Sequence, residues 1–139
     1  MIVVSSENYR SRARDFLDGM KFLQEDLDAF GYSSALLGIH GAISYADALR
    51  VGMGSKKLSS DSHVTAAGDL ESLLDSHRLE HRQGVKHFRL LLARKSRISY
   101  TGEMVRKNEL EDIVKRAKRF ADWAEEVGKA LKIEGWRDE

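Results

Sequence analysis

The sequence predicts an all-α fold, an up-and-down bundle of about five helices. Three observations carry this expectation. No proline occurs in the 139 residues, so no backbone hydrogen-bond ladder loses a donor. Apolar residues recur at alternating spacings of four and three, the period of one helix face. Gly and Ser cluster between these runs, where turns belong.

Tyr9, Ala13, Phe16, Met20, Leu23, Leu27 and Phe30 share one stripe, which predicts a first helix over about 6–30. Gly31 is the expected stop, and Ser33 or Ser34 the cap of a second helix over about 34–52. Leu36, Ile39, Ala42, Ile43, Ala46 and Leu49 form its apolar face. Gly52 and Gly54 end it, and residues 56–60 read as a loop. A third helix over about 61–76 carries Val64, Ala67, Leu70, Leu73 and Leu74. A fourth, about 79–96, carries Val85, Phe88, Leu91 and Leu92. Asn108 and Glu111 suggest a capping box, opening a fifth helix that runs to about 131. The expected domain is single and spans 1–139, with its core over about 6–131. Residues 134–139 read as a loose tail on which Trp136 is the one docking candidate.

Composition bounds the function. Hydrophobic residues at 42% and charged residues at 32% describe an ordinary globular domain rather than a disordered one. With no cysteine, disulfides, thiolate metal sites and a cysteine nucleophile are excluded. Residues 1–6 lack a signal peptide's basic region and apolar run, and no stretch approaches a spanning length. The expectation is a cytoplasmic protein with no membrane partner. Net charge is +1, but residues 78–97 hold seven Lys/Arg against Glu80 alone. That stretch suits either a solvated face or an anionic ligand.

No phosphate loop, His-Glu-x-x-His or nucleophile elbow occurs. His77 and His81 stand four apart, but two histidines without a third ligand make no metal site. No metal or cofactor is expected. His40, Ser44 and Asp47 form a polar ridge beside the apolar face of the second helix. Its expected partners are Arg94 to Tyr100 at the end of the fourth helix and Asp61 to His63 before the third. The ridge reads two ways. Asp47 holds an arginine as a structural pair, or Arg94 and Arg97 bind phosphate with Tyr100 or His63 assisting. Lys56 and Lys57 join the ligand-binding candidates.

Four segments in order resemble HEPN-domain proteins: Ile39 to Leu49, Ser60 to His63, Leu91 to Tyr100, and Arg116 to Ala124. The likeness covers roughly residues 8–127 and is nearest to small bacterial members whose fourth helix ends in an Arg-x-x-Tyr-like sequence. The resemblance implies a helical bundle, commonly a homodimer, often paired with a nucleotidyltransferase-type protein. It implies metal-independent ribonuclease or toxin activity carried by Arg, four to six residues, then His. Here Arg94 leads through five residues to Tyr100, and Arg97 is the nearer arginine. Tyrosine titrates near 10, far from a base poised at neutrality, so His63 is the candidate imidazole. The leading expectation is a module that binds RNA, a nucleotide or a partner protein. The alternatives are an endoribonuclease toxin and a purely structural protein.

Overall fold

A computed structural model describes residues 5–55 and 63–136, with the side chains of His63 and Val64 left out. Lys56, Lys57 and the loop around them, Asp61, and the side chains of His63 and Val64, all named above, lie outside the described residues. The described chain is all-helical, with no strand: α1 (Ser6–Leu23), α2 (Leu27–Gly52), α3 (His63–Ser76), α4 (Arg82–Ser99) and α5 (Lys107–Ala130). Among the described residues no helix is long and apolar enough to cross a membrane.

Ser5 opens α1, its hydroxyl accepting from the Asn8 N–H at 3.2 Å. The first helix ends at Leu23, not near residue 30. A 3-10 turn, Gln24–Asp26, follows, and Asp26 then caps α2 by accepting from Ala29 N–H at 3.2 Å. The apolar spacing runs unbroken across this corner, so periodicity alone hides it. Gly31 does not stop a helix. It lies inside α2, where an added Cβ would stand 2.6 Å from Leu110 Cδ1. Ser34 is no cap either; its hydroxyl donates to Phe30 O at 2.7 Å within α2. The helix bends at Phe30, which departs from helical angles (φ −125, ψ 27).

The buried face of α1 is Ser6, Arg10, Ala13, Leu17 and Met20. Only Ala13 and Met20 belong to the expected stripe. Tyr9, Phe16, Leu23 and Leu27 are half-buried and Phe30 is exposed. Hydropathy passes over a buried arginine, and the predicted face is turned accordingly.

The central element is α2, which packs against α1, α3, α4 and α5. It is lined with small residues, which allow close approach, and buries Ile39, Tyr45, Leu49 and Arg50. Phe88 of α4 stacks on Phe120 of α5 at 5.2 Å, and Phe120 meets Trp123 at 5.4 Å. The expected capping box does not form. The helix starts at Lys107 with Arg106 before it and no side-chain cap. After α5, Lys132 and Gly135 adopt left-handed angles (φ 54 and 88) and turn the chain back. Trp136 then docks. Its indole lies on Gly128, where any Cβ would overlap the ring, and its N–H donates to Ser6 Oγ at 2.7 Å.

Candidate nucleic-acid interface

Along the polar ridge of α2, His40 meets Phe16 and Asp47 meets Arg50. His40 is half-buried beside Phe16, with ring centroids 6.1 Å apart, and Ser44 is buried. Asp47 pairs with Arg50 of its own helix at 3.3 Å. Arg50 is 1% exposed and its Nε donates to Asp69 of α3 at 2.8 Å. Ser55 donates to the same carboxylate oxygen at 3.1 Å. A buried guanidinium needs such partners, since an uncompensated buried charge is costly. Asp47 therefore sits in an ion-pair cluster, but the arginine is Arg50.

Arg94 and Arg97, the expected partners, turn instead to α5. Arg94 donates to Asp112 at 2.6 Å, and Arg97 donates to Glu109 at 2.6 Å and to Glu103 at 3.2 Å. Arg116 reaches Asp112 from one turn further along α5, at 2.8 Å. Hydrogen bonding from Arg94 holds the Asp112 carboxyl below its usual range; burial opposes this, and Arg116 adds to it. These pairs form a seam that joins the end of α4 to α5. Glu109, which a capping box would leave beside the helix start, is taken by these arginines. Tyr100 follows α4 at its C-cap and is 78% exposed, with Lys95 Nζ 5.9 Å from its ring centroid. His77 and His81 do not share a helix face. They flank the turn between α3 and α4, and no metal-holding cluster occurs among the described residues.

The seam's outer rim was not legible as a site. Arg116 donates to His87 Nδ1 at 3.3 Å. Burial lowers the His87 pKa, and the nearby charges of Arg116, Arg119 and Lys86 lower it further. Lys115 and Arg119 stand exposed on the outward face of α5, Lys118 is half-buried beside them, and Lys86 is exposed on α4. Lys86, Lys115, Lys118 and Arg119 form no ion pair among the described residues. The sequence carries the signal as Lys115-Arg116-Ala117-Lys118-Arg119. It falls between the basic stretch 78–97 and the acidic stretch 120–139, so neither of those runs includes it. Four cations stand in five residues of helix, and among the described residues only Arg116 of the four is ion-paired.

The chain matches no family model, no curated protein and no solved structure.

His87 reports on this field. Its pKa is expected below the ordinary value of about 6.5, and Arg116→Gln should raise it. Because the folded pKa is depressed, the stability linked to this group is present above the ordinary value and lost as pH falls through the folded one. Histidine-resolved NMR titration of wild type and variant is the check. An unchanged His87 midpoint in the variant would show that Arg116 does not govern the site.

Proposed function

We propose that this chain is a HEPN-like helical module that binds single-stranded RNA through its phosphates. The observation supporting this most is the set of cations on α4 and α5 that form no ion pair among the described residues: Lys86, Lys115, Lys118 and Arg119. Phosphate neutralisation by Lys and Arg supplies most sequence-independent affinity. Tyr100, exposed beside Lys95, offers a stacking surface next to a cation. Arg94 and Arg97 support the module by fixing α4 to α5 through carboxylates.

The test is RNA binding by the purified chain across a salt series, with chelator present. Affinity should fall steeply and log-linearly as salt rises. No binding at low salt would end this reading. Cleavage in chelator that Arg97→Ala abolishes would favour the metal-independent endoribonuclease toxin instead, with Arg94, Tyr100 and His63 as its remaining candidates.

A second reading has its own observation. Phe22, Met104 and Tyr100 are 80%, 87% and 78% exposed. Val105 N–H donates to the Tyr32 hydroxyl at 2.9 Å, which holds the loop carrying Met104 against the start of α2. Large exposed apolar side chains are where this reading seats a protein partner. The partner would be a second copy or a nucleotidyltransferase-type protein. A strict monomer in sedimentation at micromolar concentration would remove the homodimer.

A further inference from the structure

The helix α5 stops at a residue poorly suited to stopping one. Two backbone bonds close its end: Lys132 N–H donates to Lys129 O at 3.0 Å, and Ile133 N–H donates to Gly128 O at 3.1 Å. This pair of bonds puts the residue between them and the helix in the left-handed region, where glycine is the usual choice. Here that residue is Lys132, at φ 54. Its Cβ makes the conformation unfavourable. Ala130, Leu131, Lys132, Ile133 and Glu134 are all tolerated inside a helix, and the first glycine after α5 is Gly135. Local preference therefore favours carrying α5 on through Glu134, and the observed stop opposes it.

What holds the stop is tertiary. Ile133 is buried on Gly52 of α2, where an added Cβ would stand 2.6 Å from its Cδ1. Trp136 fills a seat drawn from three helices. Gly128 of α5 is the floor, and Tyr45 of α2 lies at 6.4 Å, tilted against the indole. From α1, the Arg10 guanidinium stands over the ring and Ser6 accepts the indole N–H. The Ser6 hydroxyl donates in turn to Ala48 O at 2.6 Å. Lys132 sets the direction of the chain after it, so Ile133 and Trp136 seat or leave together.

We infer that Leu131–Trp136 is a two-state latch, closed by its seat and opened by its own helix preference. In the open state Lys132 returns to helical angles and α5 gains a turn through Glu134. Ile133 and Trp136 then leave Gly52 and Gly128. Opening uncovers the Ser6 hydroxyl and the face of the Arg10 guanidinium. The Phe88–Phe120 stack takes no part in it, so the α4–α5 core stays closed. The latch gates the α1 end of the bundle, and it stands or falls without the RNA reading.

The experiment is native-state hydrogen exchange by NMR on the labelled 139-residue chain. The Trp136 indole N–H should exchange at least about tenfold faster than the slowest amides of residues 120–124, because local opening precedes global unfolding. Lys132→Gly removes the strain of the stop and weakens the helical alternative, so it should slow indole exchange about fivefold or more. Lys132→Ala keeps the Cβ and should not slow it. Gly128→Ala places a Cβ in the ring's position and should free the indole while the helical circular dichroism persists. Indole and core amides exchanging at one common rate overturn the latch. So does a Lys132→Gly variant that behaves like Lys132→Ala. Loss of the helical signal in Gly128→Ala would also overturn it, since seat and core would then be one unit.

Discussion

Charge reversal at Lys115, Lys118 and Arg119 should remove most RNA affinity while leaving the fold intact. All three side chains lie outside the core of α5, which is built from Leu110, Ile113, Val114, Ala117, Phe120, Ala121, Ala124 and Val127. None forms an ion pair among the described residues, so none holds the structure together electrostatically. Each phosphate of a single strand that is no longer neutralised makes the salt dependence shallower by about 0.7, so three such phosphates change the slope by about 2. At 0.1 M salt this corresponds to roughly a hundredfold loss in affinity, before any repulsion from the new carboxylates. Arg12→Glu with Lys21→Glu, on the exposed face of α1, is the control for charge reversal away from α5 and should retain most binding. The measurement is fluorescence anisotropy over a salt series. A slope that does not change would show that these cations never meet phosphate, whatever happens to affinity at one salt concentration.

Glu125→Ala should be among the most destabilising single changes in the molecule. Arg10 is 4% exposed and points both its Nε and one terminal nitrogen at Glu125, at 2.8 and 2.6 Å. Its guanidinium also lies 5.0 Å from the Trp136 ring centroid. Tyr45 donates its hydroxyl to the same carboxylate. Removing Glu125 takes a two-point carboxylate partner from a buried cation, which costs about 3–5 kcal/mol and lowers Tm by roughly 10 °C or more. Arg10→Met with Glu125→Leu should recover much of that loss, because a buried pair is replaced by packed apolar groups. A Glu125→Ala variant as stable as wild type would mean that Arg10 reaches solvent or its other partners without cost.

The same cluster sets a pH dependence with two limbs. Burial alone would push the Glu125 carboxyl up, but hydrogen bonds from Arg10 and Tyr45 and the charges of Arg10 and Arg14 outweigh it and hold the pKa below its usual range. Its contribution is therefore present above the ordinary carboxylate range and lost as pH falls through the folded value. Burial raises the Tyr45 pKa, and the charge and hydrogen bond of Glu125 raise it further. Its contribution is complete below about pH 10 and is lost as pH climbs beyond. Denaturant unfolding across pH should show both limbs in wild type and a flattened acid limb in Glu125→Ala.

What the sequence disclosed follows from what each kind of pattern measures. Apolar spacing reports a helix wherever one face is buried, and α3, α4 and α5 lie near their expected places for that reason. It does not report where the axis turns. Leu23 and Leu27 keep their spacing across the Asp26 corner, and the turn is marked only by an aspartate cap that hydropathy ignores. Arg10 and Arg50 were missed as interior residues because burial of a cation depends on carboxylates far away in sequence, Glu125 and Asp69. Asp47 was legible as half of an ion pair, and its helix neighbour Arg50 was closer than the residues expected. Arg94 and Arg97 were expected beside the α2 ridge, and they pair with Asp112 and Glu109 of α5. Which of two carboxylate-bearing helices an arginine meets is a fact of packing, and spacing within α4 carries no information about it.

The docking of Trp136 on Ser6 closes a contact across 130 positions of sequence. During synthesis α1 and α2 emerge first and can fold back on each other at once, since only the corner at Gln24–Asp26 separates them. That early hairpin has no Glu125 for Arg10 and no indole for Ser6. Its N-terminal end waits, hydrated and unfinished, until Glu125 and Trp136 have left the ribosome. Translation thus supplies the arginine long before its counter-ion. Glu125 and Trp136, made more than a hundred residues after Arg10, are the ones that make burial of the first helix favourable.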